Sequence, residues 1–387
     1  MSVTHPAWAL LPWLVALLTM GLIVRLSPQA DAPGRFATLD GLRGHLAFTV
    51  FMHHGVIWYF FLRSGVWTAP PSGFYNHLGQ TSVALFFMIT AFLFTTRLLD
   101  SAGRPIDWLR LYVSRVLRLT PLYLVAMAIL FTLCGELSDW HRQVPARELR
   151  QSLRQWLGFT IGGIPNVNGV PHTFTLIAGV TWSLAYEWLF YAALPCLALL
   201  MRRQVPLWLA ALGLLAALGI WSHHKEGMMF VAFGMGGIAA WLARQPRFQG
   251  WARGGLAPWC VLALVGGTVA TTGTAYSWPT LGALGLAFAL VASGCTLFGA
   301  LTSRLSRRFG DLGYGLYLLH GLLLSATLHF AVGTSRAARW SDAQHWGLLT
   351  ALAAPLVLLA HLAFRWVEHP AMQQTDRLVA WWRARRR

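Results

Sequence analysis

Apolar runs of roughly twenty residues recur along the whole chain, each closed by a short stretch rich in Arg, Gly or Pro. They fall near residues 8–24, 42–62, 80–99, 116–134, 183–201, 206–221, 227–243, 257–272, 280–301, 312–331 and 347–366. A bilayer core about 30 Å thick is crossed by about 20 helical residues. A helix is favoured there because it satisfies its own backbone hydrogen bonds. The pattern predicts an all-α fold, a polytopic membrane helix bundle of 11 spans. The first run has no Lys or Arg before it, and Ser27 to Ala30 makes a poor cleavage site. It therefore reads as an uncleaved helix rather than a signal peptide.

Composition agrees with this. Of 387 residues, 56% are hydrophobic and 11% are charged, against about 25% charged in a soluble domain. A formal charge of +17 would suggest nucleic acid in a soluble chain. Here every basic residue but Lys225 is Arg, and most sit in short loops between apolar runs. That placement sets topology and gives no reason to expect a nucleic-acid partner. With the N-terminus outside and the C-terminus inside, 22 basic residues fall on the cytoplasmic side and 8 on the other, which favours this orientation. The basic end, Arg383 to Arg387, suits anionic lipid of the inner leaflet. The cysteines (Cys134, Cys196, Cys260, Cys295) lie in apolar runs with no metal-ligand spacing, so neither a metal site nor a disulfide framework is expected. No internal repeat is evident.

Candidate chemistry begins at Leu39-Asp40-Gly41-Leu42-Arg43-Gly44 and continues to His53-His54-Gly55. Eleven residues separate Arg43 from His54, about 16 Å of helical rise and about 20° of residual rotation. The two share a face, with Arg43 at the surface and His54 inside. His45 and His53 point elsewhere. An ionisable group within a membrane helix marks a candidate site; the alternative is a hydrogen bond to a neighbouring helix. Arg97, Arg104, Arg110, Arg115 and Arg118 cluster in the next cytoplasmic loop. They suit a phosphorylated donor, because the planar guanidinium fork matches phosphate, or they simply hold that loop inside. Glu187, in Trp182-Ser183-Leu184-Ala185-Tyr186-Glu187, enters its run from outside at a depth compatible with His54. It either orients the imidazole or is solvated in a vestibule. His320, after Tyr317, lines the same cavity or is a satisfied core histidine. Arg365 and Glu368, three apart, read as a structural pair. Residues 135–182 form a long Gly-, Pro- and Asn-rich outside loop, a binding loop or a connector.

These motifs, in this order over residues 35–370, resemble the acyltransferase-3 family of bacterial membrane O-acyltransferases. The family's arginine, ten residues, histidine pattern falls on Arg43 and His54. Further matches are Ser82 to Phe87, Arg115 to Pro121, Trp182 to Tyr191 and Tyr317 to His320. Departures are Ala84 where an acidic residue is common, Thr90-Ala91 for Ser-Gly, and Trp188 for a second glutamate. The resemblance implies ten family spans plus one extra N-terminal helix (residues 1–34), with a basic cytoplasmic tail at 371–387. It implies transfer of an acyl group, usually acetyl, from a cytoplasmic acyl-CoA such as acetyl-CoA to a carbohydrate or lipid-linked glycan acceptor. The setting is the bacterial inner membrane, with no tightly bound cofactor. The catalytic residues are then His54 and Glu187, and Arg43, Arg115 and Arg118 bind the donor. Asp40, His53, Trp182, Tyr186, Tyr317 and His320 line the cavity. Alternatives are acylation of a small-molecule or antibiotic acceptor, and transport of a lipid-linked sugar.

Overall fold

The computed structural model describes residues 2–26, 34–101, 104–224 and 227–385. Ser27 to Ala30, Lys225, Arg386 and Arg387, on which the cleavage-site and charge readings partly rest, lie outside them. The helices in chain order are α1 (Leu10–Leu26), α2 (Ala37–Ser64), α3 (Gly73–Asp100), α4 (Trp108–Leu137), α5 (Ala146–Leu157), α6 (Thr173–Leu176), α7 (Trp182–Leu200), α8 (Leu207–His223) and α9 (Gly227–Leu242). They continue with α10 (Pro246–Ala252), α11 (Ala257–Thr271), α12 (Trp278–Ala292), α13 (Arg304–Asp311), α14 (Gly313–Ala326), α15 (Thr334–Ala337), α16 (Asp342–Ala363), α17 (His369–Gln373) and α18 (Thr375–Ala384). Among the described residues the only β pairing is the isolated bridge Val167–Val170. The chain is an all-α, polytopic membrane helix bundle.

Each of the 11 predicted runs holds a helix, but their lengths differ. Among the described residues, seven helical segments are long and apolar enough to cross a membrane alone. The bent pair α9–α10, turned by 104° at its break, is either an eighth, broken span or a re-entrant loop. The helices α8, α11 and α12 are shorter apolar helices of 17, 15 and 15 residues, below the ~20 that span a bilayer core unaided. The run expected to reach residue 301 ends as a helix at Ala292. Beyond it Gly294, Leu297 and Phe298 all have positive φ, so the backbone turns although the side chains stay apolar.

The described chain forms two compact units. In the first (residues 1–100, 225–317 and 327–357), α2 packs on α3 and α13, and α9 packs on α3 and α12. Phe48, Phe51, Trp58, Phe92 and Phe288 fill its core. The N-terminal helix is fastened there. Trp346 Nε1 donates to the Val3 carbonyl at 2.9 Å and Tyr75 Oη to that of His5 at 3.1 Å. Its leucines at 10, 11, 14, 18 and 22 remain exposed, as a lipid-facing stripe should.

The second unit comprises residues 101–224, 318–326 and 358–387. Here α4 starts eight residues earlier than its apolar run suggested, because Asp107 caps it by accepting from the Arg110 N–H at 3.1 Å. Arg110, Arg115 and Arg118 therefore lie on the helix rather than in a loop, and Arg97 lies within α3. The basic tail is folded: α18 docks on the start of α4 through Arg383–Asp107 at 2.7 Å and Arg110–Asp376 at 2.8 Å. Burial raises the Asp107 carboxyl, but the Arg110 amide and Arg383 outweigh it and hold the group below the ordinary carboxylate range. The long loop after α4 is folded too. Trp156 is buried and donates to the Pro165 carbonyl, and Asn168 bonds both Ser138 and His141.

Candidate active site

In the first unit the site is built on glycine. At the start of α2, Gly41 lies so close to the loop before α13 that an added Cβ would fall 1.8 Å from the Leu301 carbonyl oxygen. At Gly44 it would fall 2.4 Å from the Phe309 carbonyl, and at Gly310 1.6 Å from that of Asp40. These are backbone-to-backbone contacts that any side chain would break. They explain the spacing of Leu39-Asp40-Gly41-Leu42-Arg43-Gly44: two glycines seat α13, and the charged residues between them stay at the rim. Arg43 and Asp40 are each about one-third exposed and pair at 3.5 Å.

The same seam brings α13 to Arg43, with Gly313 packed against the Arg43 backbone. On α13, Arg304 is exposed, Arg307 donates to the Thr302 carbonyl at 2.9 Å, and Arg308 pairs with Asp311 at 3.7 Å. The charge count alone assigned these arginines to topology. Their fastening beside Arg43 makes them candidate donor ligands. The available signal was Gly310 and Gly313 directly after the arginine run.

From Arg43, α2 continues without interruption to His54. His54 is half-buried. Its ring meets His53 edge-on at 5.0 Å and lies nearly parallel to Trp67 at 6.2 Å. The neighbouring histidines are engaged in packing. His53 Nδ1 donates to the Tyr75 carbonyl at 2.7 Å, with its ring against Gly79, and His45 Nε2 bonds Ser306 at 3.1 Å. Tyr317, buried in the same unit, meets Phe86 edge-on at 6.0 Å.

In the second unit the predicted residues gather around side-chain hydrogen bonds. The Tyr191 hydroxyl donates to Glu187 one helical turn earlier and also bonds Arg115 of α4. Tyr112 of α4 donates to the Tyr191 carbonyl at 3.1 Å. Tyr191 was not among the predicted site residues, though it stands at i+4 from Glu187 and ends the quoted motif. It joins a predicted catalytic residue to a predicted donor ligand. Trp182 and Tyr186 meet edge-on at 5.8 Å, and Tyr186 meets His224 at 5.5 Å. His320 is fully buried.

Arg118 pairs with Glu368 at 3.6 Å, and Glu368 is fully buried. This corrects the expected Arg365–Glu368 pair. Residues Phe364–Glu368 form a π-helical turn, whose extra residue per turn shifts the register. Arg365 is left exposed and Glu368 faces inward.

Helices of this length and apolarity, carrying buried His and Glu, define a multi-pass membrane protein. A family described as an acyltransferase domain, acyltransferase-3, matches residues 36–366, and the chain belongs to that family. It is a membrane acyltransferase. Neither the curated proteins nor the solved structures compared with it gave a match.

Proposed function

We propose that the protein moves an acetyl group from acetyl-CoA, bound from the cytoplasm of a bacterial inner membrane, to a hydroxyl of a cell-surface glycan or its lipid-linked precursor. The observation that carries this reading is Arg43 and His54 on one uninterrupted helix, on a common face about 16 Å apart in rise. That offset supports a cation for the donor phosphates at one end of the helix and an imidazole deeper along it. Arg43, joined by the α13 arginines, takes the donor phosphates in the first unit, and Arg115 and Arg118 are the candidates for that role in the second. His54 accepts the proton of the acceptor hydroxyl as its oxygen attacks the thioester carbonyl. The carbon–sulfur bond then breaks, and the CoA thiolate takes the proton from the imidazolium. Glu187, held by Tyr191 in the second unit, is the other residue this reading makes catalytic.

The test is surface-glycan O-acetylation in cells lacking the gene, complemented with wild type or His54→Ala at matched membrane levels. Wild type is expected to restore ester-linked acetyl, and the variant to fall by about 10²–10⁴-fold, the usual contribution of a general base. Full complementation by His54→Ala overturns the role of His54. If neither form restores ester, the glycan acceptor is wrong. Release of CoA by the purified protein then separates a small-molecule acylation from transport.

A further inference from the structure

We propose that α5 and the turn after it form a binding site for an anionic group, phosphate or pyrophosphate, carried by the acceptor. Arg147, Arg150, Gln151, Arg154 and Gln155 repeat at helical spacing along one face. With Gly158 and Gly162 they line a groove of about 600 Å³, within the ~300–1,000 Å³ typical of small-ligand sites.

The concavity is built. Phe159 and Thr160 have positive φ, so the chain folds back after α5, and Gln155 Nε2 ties it by donating to the Gly162 carbonyl at 3.3 Å. The opposite face is fastened to α4. Trp156 is buried, its carbonyl accepts from Tyr123 at 2.5 Å, and the Phe159 ring stacks on Tyr123 at 4.1 Å. The apolar side of α5 is thus spent on the protein itself, which removes the usual means by which an amphipathic helix inserts into a bilayer.

Three guanidiniums then remain in one groove. Among the described residues, no carboxylate lies within 4.0 Å of Arg147, Arg150 or Arg154. Like charges at this spacing repel. On the orientation favoured by the charge count they also lie on the side where arginine is otherwise scarce. An anion offsets both costs through charge-assisted, bidentate bonds, and the two carboxamides supply neutral donors and acceptors for adjoining hydroxyls.

The assignment of the groove to the acceptor rests on the acyl-transfer reading; anion binding does not. The test uses the full chain in nanodiscs of phosphatidylcholine, with inorganic pyrophosphate as probe. Wild type is expected to bind pyrophosphate in a salt-dependent way. The Arg147→Gln, Arg150→Gln, Arg154→Gln triple variant should bind roughly tenfold or more weakly. Equal binding by the two overturns the proposal. A single variant, Arg154→Gln, and thermal unfolding of both keep the result independent of misfolding. If pyrophosphate does not bind but phosphatidylglycerol is retained by wild type and lost from the variant, the groove holds a lipid headgroup and its acceptor role is overturned. Release of CoA from acetyl-CoA, measured in the same samples with His54→Ala as control, reports separately on the acyl-transfer reading. If that reading holds, the variant raises acceptor KM and leaves kcat unchanged.

Discussion

The seam between α2 and α13 and the network around α4 and α7 hold their arginines in opposite ways. In the first, the backbone does the work. Glycines at 41, 44 and 310 bring main chains into contact, and Arg43 is positioned because its helix cannot move. In the second, side chains do it: Arg115 is placed by Tyr191, and Arg118 by Glu368. A glycine seam fails when any atom is added. A side-chain network fails when a polar atom is removed. The two therefore predict different sensitivities to mutation.

The largest effect is expected at the seam. Gly310→Ala forces a Cβ to 1.6 Å from the Asp40 carbonyl oxygen, so the helices must part. Ordinary overpacking costs about 1–3 kcal/mol. Here the clash is with a backbone carbonyl that cannot swing aside, so the cost is expected to exceed the ~3–5 kcal/mol of a broken buried pair, and the expected outcome is a marked fall in membrane level and melting temperature. Gly266→Ala is the control. It lies inside α11 with nothing within 4 Å of its Cβ position, and should be neutral or stabilising by up to about 1 kcal/mol. Equal behaviour of the two variants in a thermal-shift assay refutes the seam.

Next comes the buried pair in the second region. Glu368 is fully buried, and Arg118 is 22% exposed. Removing one partner of such a pair leaves a buried charge and costs about 3–5 kcal/mol. Glu368→Ala should therefore destabilise strongly, whereas the double change Arg118→Met, Glu368→Leu should recover most of the loss. A double variant no better than the single one, by thermal unfolding in detergent, counts against the pair.

The contrast also explains what could be read before the structure. The spacing of Arg43 and His54 was legible because one regular helix carries both and periodicity alone fixes their shared face. The partner of Glu368 was not, because a π-helical turn shifts the register between Arg365 and Glu368. The end of α12 was hidden by composition. Cys295, Leu297, Phe298, Ala300 and Leu301 keep the run apolar while positive φ values turn it. Hydropathy sees side chains, and the break is in the backbone. The glycines of the seam were quoted as a motif, but their reason lies in residues 301–313, which local pattern does not connect to residues 40–44. Tyr191 does not stand out in the sequence, because a tyrosine in an apolar run reads as packing. Its hydroxyl acquires meaning only once Arg115 is seen to meet it.

Tyr191→Phe is expected to be the mildest change to stability and the sharpest test of the network. The ring stays, so packing against Trp188 (edge-on at 5.7 Å) is kept. Only the hydroxyl shared by Glu187 and Arg115 is lost. One hydrogen bond is worth about 0.5–1.5 kcal/mol net, and up to ~3 when a partner is charged. Melting should therefore fall by a few degrees at most, far less than for Glu368→Ala. If Tyr191 positions Glu187 for the reaction, kcat for acetyl transfer should drop about tenfold or more, a barrier change of about 1.4 kcal/mol. KM for acetyl-CoA should rise as well if Arg115 needs the hydroxyl to face the donor. A Glu187→Gln change on the Tyr191→Phe background should then cost less than on wild type, because both act through one line of contacts. Full additivity of the two, with kcat unchanged by Tyr191→Phe alone, leaves Tyr191 a packing residue and separates the role of Arg115 from that of Glu187.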